Sequence, residues 1–206
     1  MKIEINLKII FAIIFYFIFD NIKIYFIFLI FILLHELAHL IVGIAIGGIP
    51  KKMTISILGV SLEFYSYGKN KTIHRILFFA VGPIINLIIG FLYSKLMPEQ
   101  EIKDIIVKTN YAIGIFNLLP IIPLDGGKIL REILKFCIGA DKANILVIFV
   151  SKTVLVCLTL IYSVLILKIK SIMILLLLIY LWYLYSIEEK RYNLYEKARK
   201  TIRNII

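Results

Sequence analysis

An all-α polytopic membrane protein is the fold class this sequence predicts, with about six transmembrane helices and a small β-hairpin after the second span. Three observations predict it. The 206 residues are 61% hydrophobic, with a mean hydropathy of +0.97, well above the roughly 45–50% apolar content of a soluble domain. The apolar residues gather into six runs, at about 5–19, 24–46, 76–96, 105–123, 144–167 and 171–187, and roughly 20 such residues cross a bilayer as helix. The basic residues then alternate in density. Of 24 Lys and Arg, 17 fall on the side shared by the N-terminus, the second and fourth connections and the tail, and six on the other. Positive charge collects in the cytoplasm, which predicts both termini there. An odd number of spans would scramble that bias.

Composition excludes a soluble enzyme, a secreted disulfide scaffold and a disordered chain. Cys137 and Cys157 are too few and too far apart for a disulfide framework or a metal cluster. The net charge of +11 reports topology first and predicts no nucleic-acid partner.

The first run follows a lysine-bearing start and leads directly into Phe19, Asp20 and Asn21. With no small-residue cleavage site, it is expected to be a retained span. After the second run, residues 53–67 mix β-branched and aromatic residues around Gly59, which predicts a hairpin at the cytoplasmic face. Gly43 and Gly47, four apart, are candidates for close helix packing. Lys152 lies inside the fifth run and is expected to snorkel toward the cytosolic surface. Beyond the sixth run, Tyr192, Tyr195, Ala198, Ile202 and Ile205 recur at helical spacing among charges. They predict a surface-lying amphipathic helix whose basic residues meet anionic lipid. The chain thus divides into a six-span domain, 1–187, and a cytoplasmic amphipathic tail helix, 188–206.

Polar residues inside apolar runs are costly and default to functional hypotheses. The second run holds His35-Glu36-Leu37-Ala38-His39. Positions i and i+4 share a helix face, so both imidazoles can meet one ion with Glu36 beside them. With three His and nine Glu in the chain, only about 0.002 such matches arise by chance. The spacing points to zinc, one ion per chain. The fourth run ends in Asn117-Leu-Leu-Pro120-Ile-Ile-Pro123-Leu-Asp125-Gly126-Gly127. Its prolines break helix geometry and Gly-Gly permits a sharp turn. Irregular backbone at membrane depth requires surrounding protein or a water cavity. Two histidines leave a catalytic zinc site one protein ligand short, and Asp125 is the candidate. The third run carries Gly82-Pro83-Ile-Ile-Asn86. There proline suggests a kink, and Asn86 suits an interhelical hydrogen bond as well as a catalytic role. His74, beside Lys71 and Arg75, and Glu63 in the hairpin are expected to be solvated.

Those three strings together resemble the site-2 protease family of intramembrane zinc metalloproteases, over roughly residues 30–190, and the six-span layout is similar to its sporulation branch. The resemblance implies His35, His39 and Asp125 as zinc ligands and Glu36 as the catalytic carboxylate. It implies that Asn117 and Pro123 shape the substrate cleft and that the hairpin engages substrate; Asn86 is a further candidate for that cleft. It further implies a membrane-associated protein substrate, such as a sporulation sigma-factor precursor cut at the cytoplasmic side, and inhibitory membrane partner proteins. The location would be the plasma membrane or, in a spore former, the membrane around the forespore. Two other classes use parts of the same pattern. A six-span ion or solute transporter has no need of Glu36 between the histidines. A non-proteolytic zinc-bound scaffold tolerates its loss.

Overall fold

The computed structural model describes residues 2–5, 22–56, 59–67, 72–98, 101–169 and 172–203. The chain forms two compact units, Met1–Leu118 and Leu119–Ile206.

In the first unit, β1 (Lys2–Ile5), β2 (Gly48–Ser56) and β3 (Gly59–Tyr67) make one sheet in the order β1-β2-β3. β2 and β3 are the expected hairpin, begun five residues earlier than the sequence suggests, with Met53 opposite Leu62 and Ser56 opposite Gly59. β1 adds in parallel, Lys2 to Lys52 through Ile5 to Ile55. Pro50 has no N–H for a ladder. It falls at the register irregularity between Ile49 and Lys52, beyond the reach of β1.

Helix α1 (Ile22–Ala45) has 24 residues and is therefore about 36 Å long, enough to span hydrocarbon. It ends where Gly47 takes a φ of 80° and donates its N–H to Ile44 O at 2.9 Å. Only glycine adopts that conformation without strain. Gly47 is thus a helix stop rather than the packing residue expected beside Gly43, which is itself buried. One stripe of α1, Phe26, Ile30, Leu33, Leu37, Ile41 and Ile44, is about half exposed, while Phe31, His35 and His39 are buried. Apolar outside and polar inside is the pattern of a helix surrounded by lipid. α2 (Thr72–Leu96) and α3 (Glu101–Asn117) pack on α1 and on each other, around Phe31, Ile32 and Ile113. Glycines allow the α2–α3 approach. A Cβ on Gly114 would lie 3.0 Å from the Leu87 side chain and 3.1 Å from Pro83 O.

The second unit contains α4 (Asp125–Ile138), α5 (Ala140–Ile169) and α6 (Ile172–Arg203), with α5 packed against both neighbours. Ala143, Val147 and Leu155 of α5 and Leu178, Leu181 and Tyr185 of α6 are buried.

Among the described residues, three helices are long and apolar enough to cross a membrane: Phe26–Ala45, Thr72–Leu96 and Ala140–Leu165. Six were expected. Most of the first run, residues 6–19, lies outside the described residues. The fourth is helix only to Asn117, because Pro120 biases its predecessor away from helical backbone. The sixth gives way to charge at Glu188 without a break in α6, so residues 188–203 continue that helix and form no separate one. α4 was expected to be a connection. Its Asp-Gly-Gly opening reads as a turn, yet Gly126 and Gly127 sit buried in its first helical turn.

Candidate metal centre

His35 and His39 project from one face of α1, 3% and 4% exposed, with ring centroids 4.8 Å apart. The outer nitrogen of each ring is occupied. His39 Nδ1 lies 2.6 Å from Phe78 O, and a carbonyl only accepts, so His39 carries its proton on Nδ1. His35 Nδ1 lies 2.7 Å from Asn86 Oδ1. The amide direction is fixed by backbone further along. Asn110 Nδ2 donates to Ile106 O at 2.9 Å, which turns Asn110 Oδ1 toward Asn86 Nδ2 at 3.0 Å. Asn86 Nδ2 also reaches Phe31 O at 3.4 Å. Asn86 therefore presents Oδ1 to His35, and His35 too is protonated on Nδ1.

In the neutral rings this places both lone pairs on Nε2, with the two atoms 3.2 Å apart. In a buried site two facing lone pairs repel and call for a positive charge between them. Two zinc–nitrogen bonds of about 2.0–2.1 Å at a tetrahedral angle span about 3.3 Å. The observed pair fits that donor geometry. Second-neighbour partners of this kind orient metal-binding imidazoles generally.

Gly82 faces the same point. A Cβ there would lie within 2.6 Å of His35 Nε2 and closer still to His39 Nε2. At this position glycine keeps clear the space that both lone pairs address. Pro83, next along α2, has no N–H to offer the Phe79 carbonyl, which loosens the helix beside the Phe78 carbonyl that His39 uses.

In the second unit, Asp125 opens α4 with 6% exposure. It needs irregular chain before it. Ile122–Pro123 is a cis peptide, Ile121 N donates to Leu119 O at 2.7 Å and Leu124 N to Ile121 O at 2.8 Å. Fully buried Ser151 of α5 pins this segment, since its Oγ accepts from Ile122 N at 3.0 Å and donates to Val147 O at 2.7 Å. Gly127 is required for closeness, because a Cβ would stand 2.5 Å from the Ile121 carbonyl carbon. Lys128 Nζ lies 3.2 Å from Asp125 Oδ1.

The residues singled out from sequence thus fall as follows. His35, His39 and Asn86 come together in the first unit. Glu36 follows His35 on α1, half-buried. Asn117 ends α3 and donates its amide back to Ile113 O at 3.0 Å. Pro123 and Asp125 stand in the irregular segment and first turn of the second unit. His74, expected to be solvated, is half-buried, with a buried Nδ1 that has no hydrogen-bond partner among the described residues. Lys152 is exposed. The side chain of Glu63 lies outside the described residues. Sequence reasoning missed Asn110, Ser151 and the role of Gly82. Asn110 was the one with a signal, an amide inside an apolar run.

Residues 100–160 match Peptidase family M50. A Synechocystis protein named as a zinc metalloprotease is 32% identical over 122 residues. The matched stretch is 55% of this chain and 31% of that relative, so the chain spans about a third of the relative's length. The solved site-2 protease from Methanocaldococcus jannaschii is 23% identical, with a TM-score of 0.65 over 90% of this chain and 89% of that one, which shows the fold. Over residues 100–160 the chain is thus similar to the peptidase M50 family, its fold is that of a solved site-2 protease, and three of its described helices are long and apolar enough to cross a membrane.

Proposed function

We propose that the chain is an intramembrane zinc metalloprotease, with His35, His39 and Asp125 as ligands of one zinc ion and Glu36 as its catalytic carboxylate. The observation that carries this reading is the pair of converging Nε2 atoms, 3.2 Å apart, on rings oriented by Phe78 O and by the Asn86–Asn110 chain. Asp125 adds the donor chemistry of a third ligand, a buried carboxylate, and three protein ligands leave one position open in a catalytic site.

Zinc, when bound, supplies a nucleophile at neutral pH and polarises a peptide carbonyl. Glu36 takes up the nucleophile's proton on its carboxylate and delivers it to the departing amine nitrogen. Asn86 holds the His35 ring and its tautomer throughout. Asn117 and Pro123 shape the cleft for substrate. A substrate helix bonds its own amides, so it must unwind before cleavage, and an edge of the β2–β3 hairpin can take the loosened strand by strand addition. Both termini are assigned to the cytoplasm on the distribution of basic residues.

The substrate class is a membrane-associated protein. The six-span layout read from the sequence resembles stage IV sporulation protein FB, so the first substrate to try is a sporulation sigma-factor precursor. Co-expression with that precursor should release a shortened product with the wild type. Glu36→Gln should abolish the product while the purified variant keeps its zinc. Cleavage by Glu36→Gln at the wild-type rate would refute the assignment of Glu36.

A further inference from the structure

The second unit holds a cavity of about 420 Å³ whose wall is formed by α4, α5 and α6. Its polar lining includes Arg131 and Lys135 from α4, Asn144 from α5, and Glu188, Arg191 and Tyr192 from α6. None of these residues has a part in the proposed hydrolysis. Three cations and one carboxylate line it, and with Glu132 paired to Lys135 one positive charge is in excess, so the cavity favours an anion.

The cations are held differently. Arg131 donates from Nε to Asn144 Oδ1 at 2.6 Å, and Asn144 is 9% exposed. This anchors the guanidinium by one edge and leaves its two amino groups, a planar fork suited to phosphate oxygens. Among the described residues no carboxylate pairs with Arg131. Lys135 is paired with Glu132 at 2.6 Å and Arg191 with Glu188 at 2.8 Å. Arg191 stands at the rim, its side chain 73% exposed.

The outside of α4 indicates where such an anion comes from. Arg131 and Lys135 are four apart and share the face turned into the cavity, while Ile133 and Phe136 lie on the opposite face, 43% and 80% exposed. A helix with charge inward and large apolar groups outward is bordered by acyl chains. A cationic cavity behind a helix of that kind suits the headgroup of a lipid whose chains cover the outer face.

We propose that this cavity binds one phosphate-bearing anion, in the first place the headgroup of an anionic phospholipid, with Arg131 and Lys135 as the main donors and Arg191 at the entrance. The site involves α4, α5, α6 and Ile122 just before α4, and its charged groups take no part in the zinc reading.

The test uses the purified full chain in detergent, with lipid retention read by native mass spectrometry after addition of phosphatidylglycerol or phosphatidylcholine, and a third arm with inorganic phosphate. Phosphatidylglycerol should be retained and phosphatidylcholine not. Removing two cations near headgroups, in Arg131→Gln with Lys135→Gln, should weaken retention about 25-fold, and Arg191→Gln about fivefold. Circular dichroism reports whether each variant is folded. Should the double variant not fold, Arg191→Gln at the exposed rim carries the test alone. Phosphate that stabilises the wild type and not the variants, with no preference between the lipids, would keep the anion site and overturn its lipid source. Equal retention of both lipids with no effect of phosphate, or variants that bind like the wild type, would overturn the site itself.

Discussion

The two halves of the proposed metal centre are built in opposite ways. The histidine half comes from regular structure: two side chains one turn apart on α1, with their outer nitrogens tied to α2 and, through Asn86, to α3. The carboxylate half comes from irregular structure: a proline-broken segment ahead of α4, held by one hydroxyl from α5. A helix sets the distance between two donors and cannot easily deliver a third from the same face. A broken segment can present a carboxylate at depth, but its freed amides need partners from elsewhere. The first half is therefore expected to fail through its donors, and the second through the stability of its backbone.

The largest effect is expected at Gly82. Gly82→Ala places a methyl group between the two Nε2 atoms and should lower zinc affinity at least about 100-fold, beyond the usual range for a neighbour of the ligands. Chelator competition on a variant with wild-type helix content measures it. Asn86→Leu should cost about 10–100-fold, by freeing the His35 tautomer. Asn110→Ala should fall at the low end of that range. Because the two amides act in series, the double variant should bind zinc no worse than Asn86→Leu alone, and simple additivity would break the chain of hydrogen bonds described here.

For the carboxylate half the expected currency is stability. Ser151→Ala leaves the partly buried Ile122 N–H without its partner and should cost about 1 kcal/mol, read from thermal unfolding, with a smaller change in zinc affinity. A large loss of zinc with no loss of stability would erase the contrast between the halves. Lys152→Ala, one residue along α5 and exposed, should stay within about 0.5 kcal/mol of wild type.

What could be read from the sequence follows the same contrast. The i, i+4 histidines announce themselves locally, since helical periodicity alone brings them together. The N-x-x-P-x-x-P-L-D string likewise shows that helix must end before Asp125. Asn110 and Ser151 act across 24 and 29 residues of chain, and no local pattern encodes such partners. Gly82 looked like half of a kink because its neighbour is proline, whereas its role depends on α1 lying against it. α4 was missed because its opening glycines imitate a turn. They are there so that the helix can sit against the Ile121 carbonyl.

The central claim is that the histidine pair and Asp125 form one zinc site. Zinc per chain in the purified protein tests it most directly, with His39→Ala, Asp125→Ala and Glu36→Gln measured beside the wild type. About one zinc is expected in the wild type and in Glu36→Gln, with loss or sharp weakening in the two ligand variants. Folded wild-type protein without zinc, or Asp125→Ala that holds it as firmly as wild type, would contradict the claim.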